Sequence, residues 1–321
     1  MQVNELFKQS NTVLLDGGMG TMLQAAGLKL GARPEELNIT DPALIEGIHG
    51  QYAAAGSRIV NANTFGASAH KLAGSAYTLE QVITAGIENC KRACAPYGAL
   101  TALDVGPLGE LLEPSGTLAF EDAVAEYARI VKAGEAAGAD LIFFETYTDL
   151  YELKAALLAA KENTHLPILA SMSFEAGGRT FTGCTVESFA ATARGLGADA
   201  VGINCSLGPK EIFPMAKRLA EAVPGNFPVF VKPNAGLPRA DGSGYDITPQ
   251  LFALQMKPYR ELHLFAAGGC CGTTPEFIKL LNGTFAGCTP GRPAHRMPSV
   301  LCTPVDTVTV DGITVVGERI N

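Results

Sequence analysis

Three cysteines at the predicted ends of buried strands are the residues with the clearest chemistry. Cys270 and Cys271 are adjacent in AAGGCCGTTPEF, and Cys205 stands in INCSLGP, directly after an apolar run. Zinc prefers sulfur and nitrogen ligands, and a catalytic zinc site supplies three protein ligands and leaves one position open. None of the five histidines ends such a run, so the sequence offers three ligands and no clear fourth. The alternative is that Cys205 packs in the core and that the cysteine pair binds nothing.

An open site of three thiolates suits one kind of reaction. Such a zinc centre carries a net negative charge, which disfavours the generation of hydroxide and favours a soft ligand such as a substrate thiol. A free thiol has a pKa near ~8.5, so only a few per cent of it is thiolate at pH 7, and binding to zinc removes its proton. The chemistry indicated is alkyl transfer to a thiol.

Two acidic residues also end predicted strands. Asp16 closes VLLD and precedes the turn GGMG, and Glu145 closes LIFFE. Either acid alone could equally be a helix cap or a satisfied core residue. At the same edge of one sheet, the two together could hold an ammonium group, and free N–H groups in the turn after Asp16 could hold a carboxylate. The pair therefore suggests an amino-acid pocket beside the cysteines.

The elements that must position these residues are indicated by eight apolar runs. Continuous apolar runs are typical of parallel strands that are buried on both faces. The runs are TVLLDGG, RIVNANTFG, LTALDVGPLG, DLIFFETYTD, PILASMSFE, AVGINCSLGP, PVFVKPNAG and LHLFAAGGCCG. Helical segments alternate with them. The first long one is predicted to have Asp41 as its N-cap, Pro42 at its first position and Gly56 at its end.

Eight strand–helix units in series predict an α/β fold, a single-domain (β/α)8 TIM barrel with a C-terminal extension. The competing fold is an open doubly wound sheet, which usually carries a nucleotide-binding fingerprint. Its best candidate, GGMGTML, has Leu23 where the third glycine should be. In a barrel the C-terminal ends of all strands open onto one face, where active sites lie. We therefore expect Asp16, Glu145 and the three cysteines around one mouth.

Composition excludes several classes of function. The chain has 321 residues, 47% of them hydrophobic, and a formal net charge of −8. Because it has no basic run, nucleic acid and anionic membrane surfaces are not expected as partners. The N-terminus lacks the pattern of a signal peptide, and no apolar stretch approaches the roughly 18 residues needed to span a bilayer. We therefore expect a soluble, cytoplasmic protein, whose eight cysteines are metal-binding, catalytic or buried rather than disulfide-bonded.

The remaining cysteines are expected to be packing residues. Cys90 and Cys94 lie four apart in a predicted helix, and Cys184, Cys288 and Cys302 are isolated. An i, i+4 pair could bind a metal, but free cysteine usually behaves as a small hydrophobic residue.

These motifs resemble the homocysteine S-methyltransferase family over about residues 12–295. Within that family the chain most resembles the homocysteine-binding module of cobalamin-dependent methionine synthases. The combination of NCSLGP and GGCCGTTP is highly specific. The other motifs that carry the resemblance are LDGGMGTML, VNANTFGAS, DVGPLG, FFETYTDL and KPNAGLP.

The resemblance implies a (β/α)8 barrel and assigns roles to individual residues. It implies a zinc ion held by Cys205, Cys270 and Cys271. The positions that match the family's homocysteine pocket are Asp16, Gly18, Met19, Glu145 and Asn204. Asn234 is implied to lie close to the metal and to fill its open position when the substrate is absent.

The C-terminal residues and the methyl donor are also interpreted from the resemblance. ITVVGERIN resembles the opening strand of the methyltetrahydrofolate-binding barrel that follows this module in methionine synthases. We therefore expect residues 1–300 to form the homocysteine-binding barrel, and residues 301–321 to form a linker and the start of the next domain. The chain has no Asp-x-His-x-x-Gly cobalamin signature. Methylcobalamin is therefore expected as an external donor, with cobalamin- and methyltetrahydrofolate-binding modules as partners in cis or in trans.

The function expected is zinc-dependent methylation of the homocysteine thiol to give methionine. A second enzymatic interpretation is a thiol methyltransferase that uses S-methylmethionine or another donor. A non-enzymatic interpretation is a zinc store or a redox sensor built from the same cysteines. The Asp16–Glu145 pair argues against the last interpretation, because a store needs no amino-acid pocket.

Overall fold

The computed structural model describes residues 7–8, 11–29, 31–239, 244–293, 297–310 and 312–313. Eight parallel strands form one sheet in the order β1-β8-β7-β6-β5-β4-β3-β2. Its strands are β1 (Val13–Leu14), β2 (Ile59–Asn61), β3 (Leu100–Val105), β4 (Leu141–Tyr147), β5 (Ile168–Met172), β6 (Ala200–Asn204), β7 (Val229–Lys232) and β8 (Ala266–Ala267).

The sheet curls into a nearly closed barrel. β8 pairs with both β7 and β1, and Arg58 N donates to Leu14 O at 2.8 Å, which joins the first strand to the chain entering β2. All eight predicted strands are therefore confirmed, as is the (β/α)8 fold. Each strand is shorter than its apolar run because the C-terminal part of the run belongs to the loop that carries polar residues.

Helices alternate with the strands and cover the outside of the barrel. Their bounds are α1 (Met19–Ala25), α2 (Leu37–Thr40), α3 (Pro42–Ala55), α4 (Leu79–Cys94), α5 (Phe120–Ala136), α6 (Leu150–Asn163), α7 (Val186–Gly195), α8 (Pro209–Glu221), α9 (Pro249–Met256) and α10 (Pro275–Phe285). Short 3-10 helices span Pro34–Glu36, Ala95–Tyr97 and Lys257–Leu262.

Local sequence explains where these helices begin and end. The Asp41 side chain accepts a hydrogen bond from Leu44 N at 3.2 Å, Pro42 is the first residue of α3, and Gly56 ends the helix with φ of 114°. Only glycine adopts such a φ without a steric cost. The predicted helix signals at Asp41, Pro42 and Gly56 are therefore confirmed.

The core has two parts. Inside the barrel, side chains from alternate strand positions fill the axis, including Phe143 and Phe230, whose ring centroids lie 5.0 Å apart. The larger part lies between the strands and the helices. Cys90, Cys94, Cys184 and Cys288 are buried, as expected of packing cysteines. Cys302 is exposed in the C-terminal hairpin, so the prediction that it packs in the core is wrong. The filled axis means that the chemistry must lie at the mouth rather than in a central channel.

The chain continues beyond the barrel into a two-stranded antiparallel hairpin of β9 (Ser299–Cys302) and β10 (Thr307–Val310). The hairpin contacts the start of α7, since Thr185 N donates to Pro304 O at 3.2 Å and Ser188 Oγ donates to Asp306 O at 3.2 Å. It crosses the predicted domain boundary at residue 300, and that boundary stays a prediction. Residues 314–321, which carry most of the resemblance to a following domain, lie outside the described residues.

Among the described residues, no helix has both the length and the apolar character required to cross a lipid bilayer.

Candidate metal centre and substrate pocket

The three predicted cysteines meet at the C-terminal mouth of the barrel. The Sγ atoms of Cys205, Cys270 and Cys271 all lie within 4.8 Å of one another, and Cys205 Sγ is 3.8 Å from Cys271 Sγ. Zinc–sulfur bonds of about 2.3 Å in a tetrahedron place two sulfurs about 3.8 Å apart. The three sulfur atoms could therefore occupy three of the four coordination positions of a tetrahedral zinc ion.

The backbone around the cysteines is fixed by the loops after β6, β7 and β8. Cys205 N donates to Lys232 O at 3.1 Å, Cys270 N donates to Pro233 O at 2.8 Å, and Ala235 N donates to Cys271 O at 2.9 Å. Cys205 itself has φ of 62°, in the left-handed region that a side chain disfavours. Such conformations persist where the surrounding structure enforces them, often at functional sites.

The proximity of the thiols affects their ionisation. The hydrogen bond with Cys270 lowers the pKa of Cys205, but the hydrogen bond with Cys271, burial and the charge of Cys271 raise it to about 12. Three neighbouring thiols resist ionising together because their negative charges repel. A cation between them would remove that penalty, which again fits a metal.

The two predicted acids also meet, with a lysine between them. Lys232, the last residue of β7, has a side chain that is 2% exposed, and its Nζ lies 3.0 Å from Asp16 Oδ1 and 3.1 Å from Glu145 Oε2. Burial lowers the pKa of Lys232, but the Asp16 and Glu145 carboxylates raise it by more, so that the pKa lies well above its usual value. The acid pair is therefore occupied by a cation of the chain itself.

Two further buried polar groups lie close to this cluster. Asp104, in β3, and Asn61, at the end of β2, each have a side-chain Oδ1 with no hydrogen-bond partner among the described residues. Burial and the negative charges of Glu145 and Asp16 raise the pKa of Asp104 well above its usual value, although Lys232 lowers it. A buried oxygen without a donor is costly, so these atoms favour a ligand that brings N–H or water to the mouth.

All of these groups open onto one cavity of about 350 Å³. Residues from the loops and strand ends of β1, β2, β3, β4, β6, β7 and β8 line it. Of the predicted site residues, those on its wall are Asp16, Gly18, Met19, Glu145, Cys205, Cys270 and Cys271. The acids and the thiols therefore line the same pocket, and the volume suits a small molecule.

Asn204 lies beneath the cavity rather than on its wall. It is fully buried at the end of β6, and its Oδ1 accepts from Thr146 N and Ser171 Oγ, each at 2.9 Å. Its Nδ2 donates to Thr146 Oγ1 at 2.7 Å and lies 3.8 Å from Cys270 Sγ. Asn204 therefore ties the ends of β4, β5 and β6 to one of the thiols.

Asn234 is also placed beside a cysteine. Its Oδ1 accepts from Cys271 N at 3.1 Å, and its own N–H donates to Leu207 O at 2.9 Å. In this arrangement the Asn234 side chain holds the backbone of the cysteine pair. Its predicted role as a ligand in the open metal position stays a prediction.

Some of the backbone groups in the glycine turn after β1 already make hydrogen bonds within the protein. Gly18 N donates to Thr273 Oγ1 at 3.2 Å, and Tyr52 Oη donates to Gly18 O at 3.2 Å. A Cβ on Gly18 would lie 2.9 Å from Cys270 O, so glycine is needed where this turn approaches the cysteine loop. Met19 and Gly20 begin α1, and their N–H groups have no intrahelical partner.

Lys232 is the main residue that sequence reasoning missed. A signal was present, because Lys232 ends the apolar run VFVK, and a lysine on a strand buried on both faces needs an anionic partner. Asn61 was also missed, because its run RIVNANTFG contains a second asparagine, Asn63, nearer to the C-terminal end. Cys302 and Cys184, in contrast, lie away from the cavity, and the three mouth cysteines are the only metal-type cluster in the described ranges.

Known proteins similar to this chain include members of one enzyme family. The model of the homocysteine S-methyltransferase family matches residues 13–285. The chain is 32% identical to a methionine synthase of Mycobacterium tuberculosis, over 95% of this chain and 27% of the relative. It is also 32% identical to a methionine synthase of Mycobacterium leprae, over 95% of this chain and 28% of the relative. It thus spans little more than a quarter of these relatives.

Solved structures give the same fold. The homocysteine methyltransferase MmuM from Escherichia coli, in its oxidised form, superposes with a TM-score of 0.76 at 23% identity, covering 88% of this chain and 98% of that one. Its metallated form gives a TM-score of 0.72 at 24% identity, covering 88% and 99%. With the family model matched over most of its length, the chain belongs to the homocysteine S-methyltransferase family.

Proposed function

We propose that this chain catalyses zinc-dependent transfer of a methyl group to the thiol of homocysteine, which gives methionine. The observation that carries the proposal is the cavity of about 350 Å³, whose lining includes the three clustered thiols together with the carboxylates of Asp16 and Glu145. Homocysteine carries a thiol and an amino-acid end on one short chain. A pocket with a thiophilic site and an amino-acid site matches both ends of that substrate.

Cys205, Cys270 and Cys271 would hold the zinc. When bound, zinc acts as a Lewis acid that lowers the pKa of a substrate thiol and keeps its sulfur nucleophilic at neutral pH. Asn204 and Asn234 fix the cysteine loops through the hydrogen bonds to Cys270 Sγ and Cys271 N. Methylation would form a carbon–sulfur bond at homocysteine and break the bond between the methyl carbon and its donor, which would keep that bonding electron pair. The proton of the thiol would be released to solvent.

The amino-acid end of the substrate is assigned to the other part of the pocket. The carboxylates of Asp16 and Glu145 supply negative charge for the ammonium group. The N–H groups of Met19 and Gly20, in the first turn of α1, are donors for the carboxylate. Orientation at both ends would fix the sulfur relative to the cysteines, which is the main contribution that a binding pocket makes to such a transfer.

The methyl donor is proposed to be methylcobalamin carried by another module. The support is the identity to two proteins named methionine synthase, of which this chain covers 27% and 28%. The remaining length of such relatives leaves room for modules that bind cobalamin and methyltetrahydrofolate, in cis or in trans. The competing donor is S-methylmethionine, and the competing non-enzymatic role is a zinc store or redox sensor.

Calorimetry and a transfer assay together test the proposal. The zinc-loaded chain is titrated with homocysteine and is then incubated with homocysteine and methylcobalamin or S-methylmethionine, with methionine measured by mass spectrometry. Saturable binding and methionine formed only from methylcobalamin are expected. Methionine formed only from S-methylmethionine would reassign the donor, and the absence of homocysteine binding would favour the zinc store. The matched control is the Cys205→Ala variant under the same conditions.

A further inference from the structure

Tyr245 lines the candidate site but has no role in the function proposed above. It lies in the loop between β7 and α9, on the wall of the cavity that the three cysteines also line. A short antiparallel pairing within that loop holds it there, since Asp246 N donates to Leu237 O at 3.1 Å and Arg239 N donates to Gly244 O at 2.8 Å. Tyr245 is therefore positioned by backbone hydrogen bonds on both sides of it.

The ring of Tyr245 packs against the loop that carries the cysteine pair. A Cβ on Gly272, the residue directly after Cys271, would overlap the Tyr245 ring. Gly272 also has φ of 79°, which glycine adopts without a steric cost, and its N–H donates to Thr21 Oγ1 at 2.9 Å. The absence of a side chain at this position therefore allows the aromatic ring to approach the cysteine loop.

The hydroxyl group of Tyr245 lies beside the thiols. Burial, the negative charge of Cys271 and a hydrogen bond with Cys271 raise the pKa of Tyr245 to about 12, and the charges of Cys205 and Cys270 act in the same direction. All three thiols influence this one group because it is close to their cluster. A phenol that keeps its proton at neutral pH is a hydrogen-bond donor, so the O–H group of Tyr245 donates to the sulfur of Cys271.

The other two sulfur atoms also have a donor from the protein. Asn204 Nδ2 lies 3.8 Å from Cys270 Sγ, and the backbone of Ser206 donates to the thiol of Cys205. Hydrogen bonds to a thiolate disperse its negative charge. With Tyr245 as the third donor, each sulfur of the candidate metal centre is paired with one group that is not itself one of the thiols.

We infer that Tyr245 is a positioning residue of the metal centre, whose hydroxyl group donates to the sulfur of Cys271 and whose ring covers the cysteine loop. The inference rests on the proposed zinc site and adds to it a residue outside the ligand set. Groups that hydrogen-bond to metal ligands orient them and tune the metal, and their removal typically costs about ten- to a hundred-fold in metal affinity. Such donors matter here because three thiolates carry more negative charge than one zinc ion balances.

The substitution Tyr245→Phe removes the hydroxyl group and keeps the ring. Zinc affinity is measured by competition with a chromophoric chelator for the wild type, for Tyr245→Phe and for Tyr245→Ala. The matched control is Tyr97→Phe, at an exposed tyrosine between α4 and β3 that does not line the cavity. We expect Tyr245→Phe to bind zinc about ten- to a hundred-fold more weakly, with about one ion per chain at saturation, and the control to bind it as the wild type does.

Cobalt(II) in place of zinc provides a signal that a change in packing alone would not move. The sulfur-to-cobalt charge-transfer band shifts to lower energy when a thiolate loses a hydrogen-bond donor, because the sulfur becomes more electron-rich. The ligand-field bands report the number and type of the ligand atoms. Tyr245→Phe should therefore shift the charge-transfer band and leave the ligand-field bands unchanged.

Three results would overturn the inference. Wild-type zinc affinity in Tyr245→Phe, with weaker binding only in Tyr245→Ala, would assign the ring to packing. Weaker binding with an unshifted charge-transfer band would show a merely structural hydroxyl group. Changed ligand-field bands would make Tyr245 a ligand of the metal.

Failure of the proposed function has a different signature, because it appears in the wild type. A wild-type chain that binds zinc but not homocysteine would refute the proposed function and leave the role of Tyr245 standing. A wild-type chain that binds no zinc would refute both.

Discussion

Replacing Glu145 by glutamine removes the charge from the acceptor that faces the cavity and preserves its shape. Glu145 Oε2 lies 3.1 Å from Lys232 Nζ, so the oxygen of the new amide is expected to remain with the lysine. The NH2 group then takes the place of Oε1 and presents donors to the substrate ammonium, which is itself a donor. The substitution therefore changes an attractive contact into an unfavourable one.

The magnitude follows from the single contact that is lost. A hydrogen bond to a charged group contributes about 1.5–3 kcal/mol, and every ~1.4 kcal/mol is a factor of ten in affinity. We therefore expect Glu145→Gln to weaken homocysteine by about ten- to a hundred-fold. The affinity for 4-mercaptobutanoate, which has no amino group, should change little. The zinc content should not change, because Glu145 lies outside the cysteine cluster.

Calorimetric titration of the zinc-loaded variant with both thiols provides the assay. The matched control is Glu152→Gln, at another buried acid whose Oε1 accepts from Leu108 N at 2.7 Å and from Tyr127 Oη at 2.9 Å, away from the cavity. That control should leave both affinities near the wild-type values. Equal weakening of the two thiols by Glu145→Gln would mean that the acid supports the barrel rather than the substrate, and would refute the reasoning.

Two further predictions concern the metal and the stability of the fold. Cys205→Ala should lower the zinc content, measured by elemental analysis after dialysis, from about one ion per chain to near zero, and its circular dichroism spectrum should not change. The control Cys302→Ala, at an exposed cysteine, should keep its zinc. A full zinc content in Cys205→Ala would contradict the ligand assignment. Burial lowers the pKa of His49 to about 3, so between about pH 6.5 and pH 3 the unfolded chain binds a proton that the folded chain does not. Lowering the pH from 7 to 5 should therefore cost about 2 kcal/mol of unfolding free energy through this residue. Urea denaturation should show that His49→Leu removes this loss and that His165→Leu, at an exposed histidine, does not; an unchanged loss in His49→Leu would contradict the assignment.

The fold was predictable because its signals are local. Eight apolar runs with glycine or polar residues at their ends predicted the eight strands. Capping residues such as Asp41 and Gly56 predicted where a helix begins and ends. The strand ends were less predictable, because the runs extend into loops that share the same residue types. In β8, for example, only Ala266–Ala267 pair as a strand, although the run continues to the cysteine pair.

The candidate site was predictable in part. Strand-end position was enough to bring Asp16, Glu145 and the three cysteines to one mouth, since parallel strands of a barrel end on the same face. Lys232 ends β7 at the same mouth, but strand-end position does not show which side chains pair there, and its contacts with Asp16 and Glu145 come from the structure. Nor does position determine whether a side chain reaches the cavity or the layer beneath it. Asn204 ends β6 beside Cys205 and is nevertheless fully buried among β4 and β5 residues.

Zinc K-edge X-ray absorption on the zinc-loaded chain tests the central claim most directly. With the three thiols of Cys205, Cys270 and Cys271 as ligands, the spectrum should fit three sulfur atoms at about 2.3 Å and one lighter atom. Addition of homocysteine should replace the lighter atom by a fourth sulfur, and addition of methionine, which has no thiol, should not. A first shell that keeps three sulfurs at saturating homocysteine would contradict the account, as would a metal-loaded protein with fewer than three sulfur ligands.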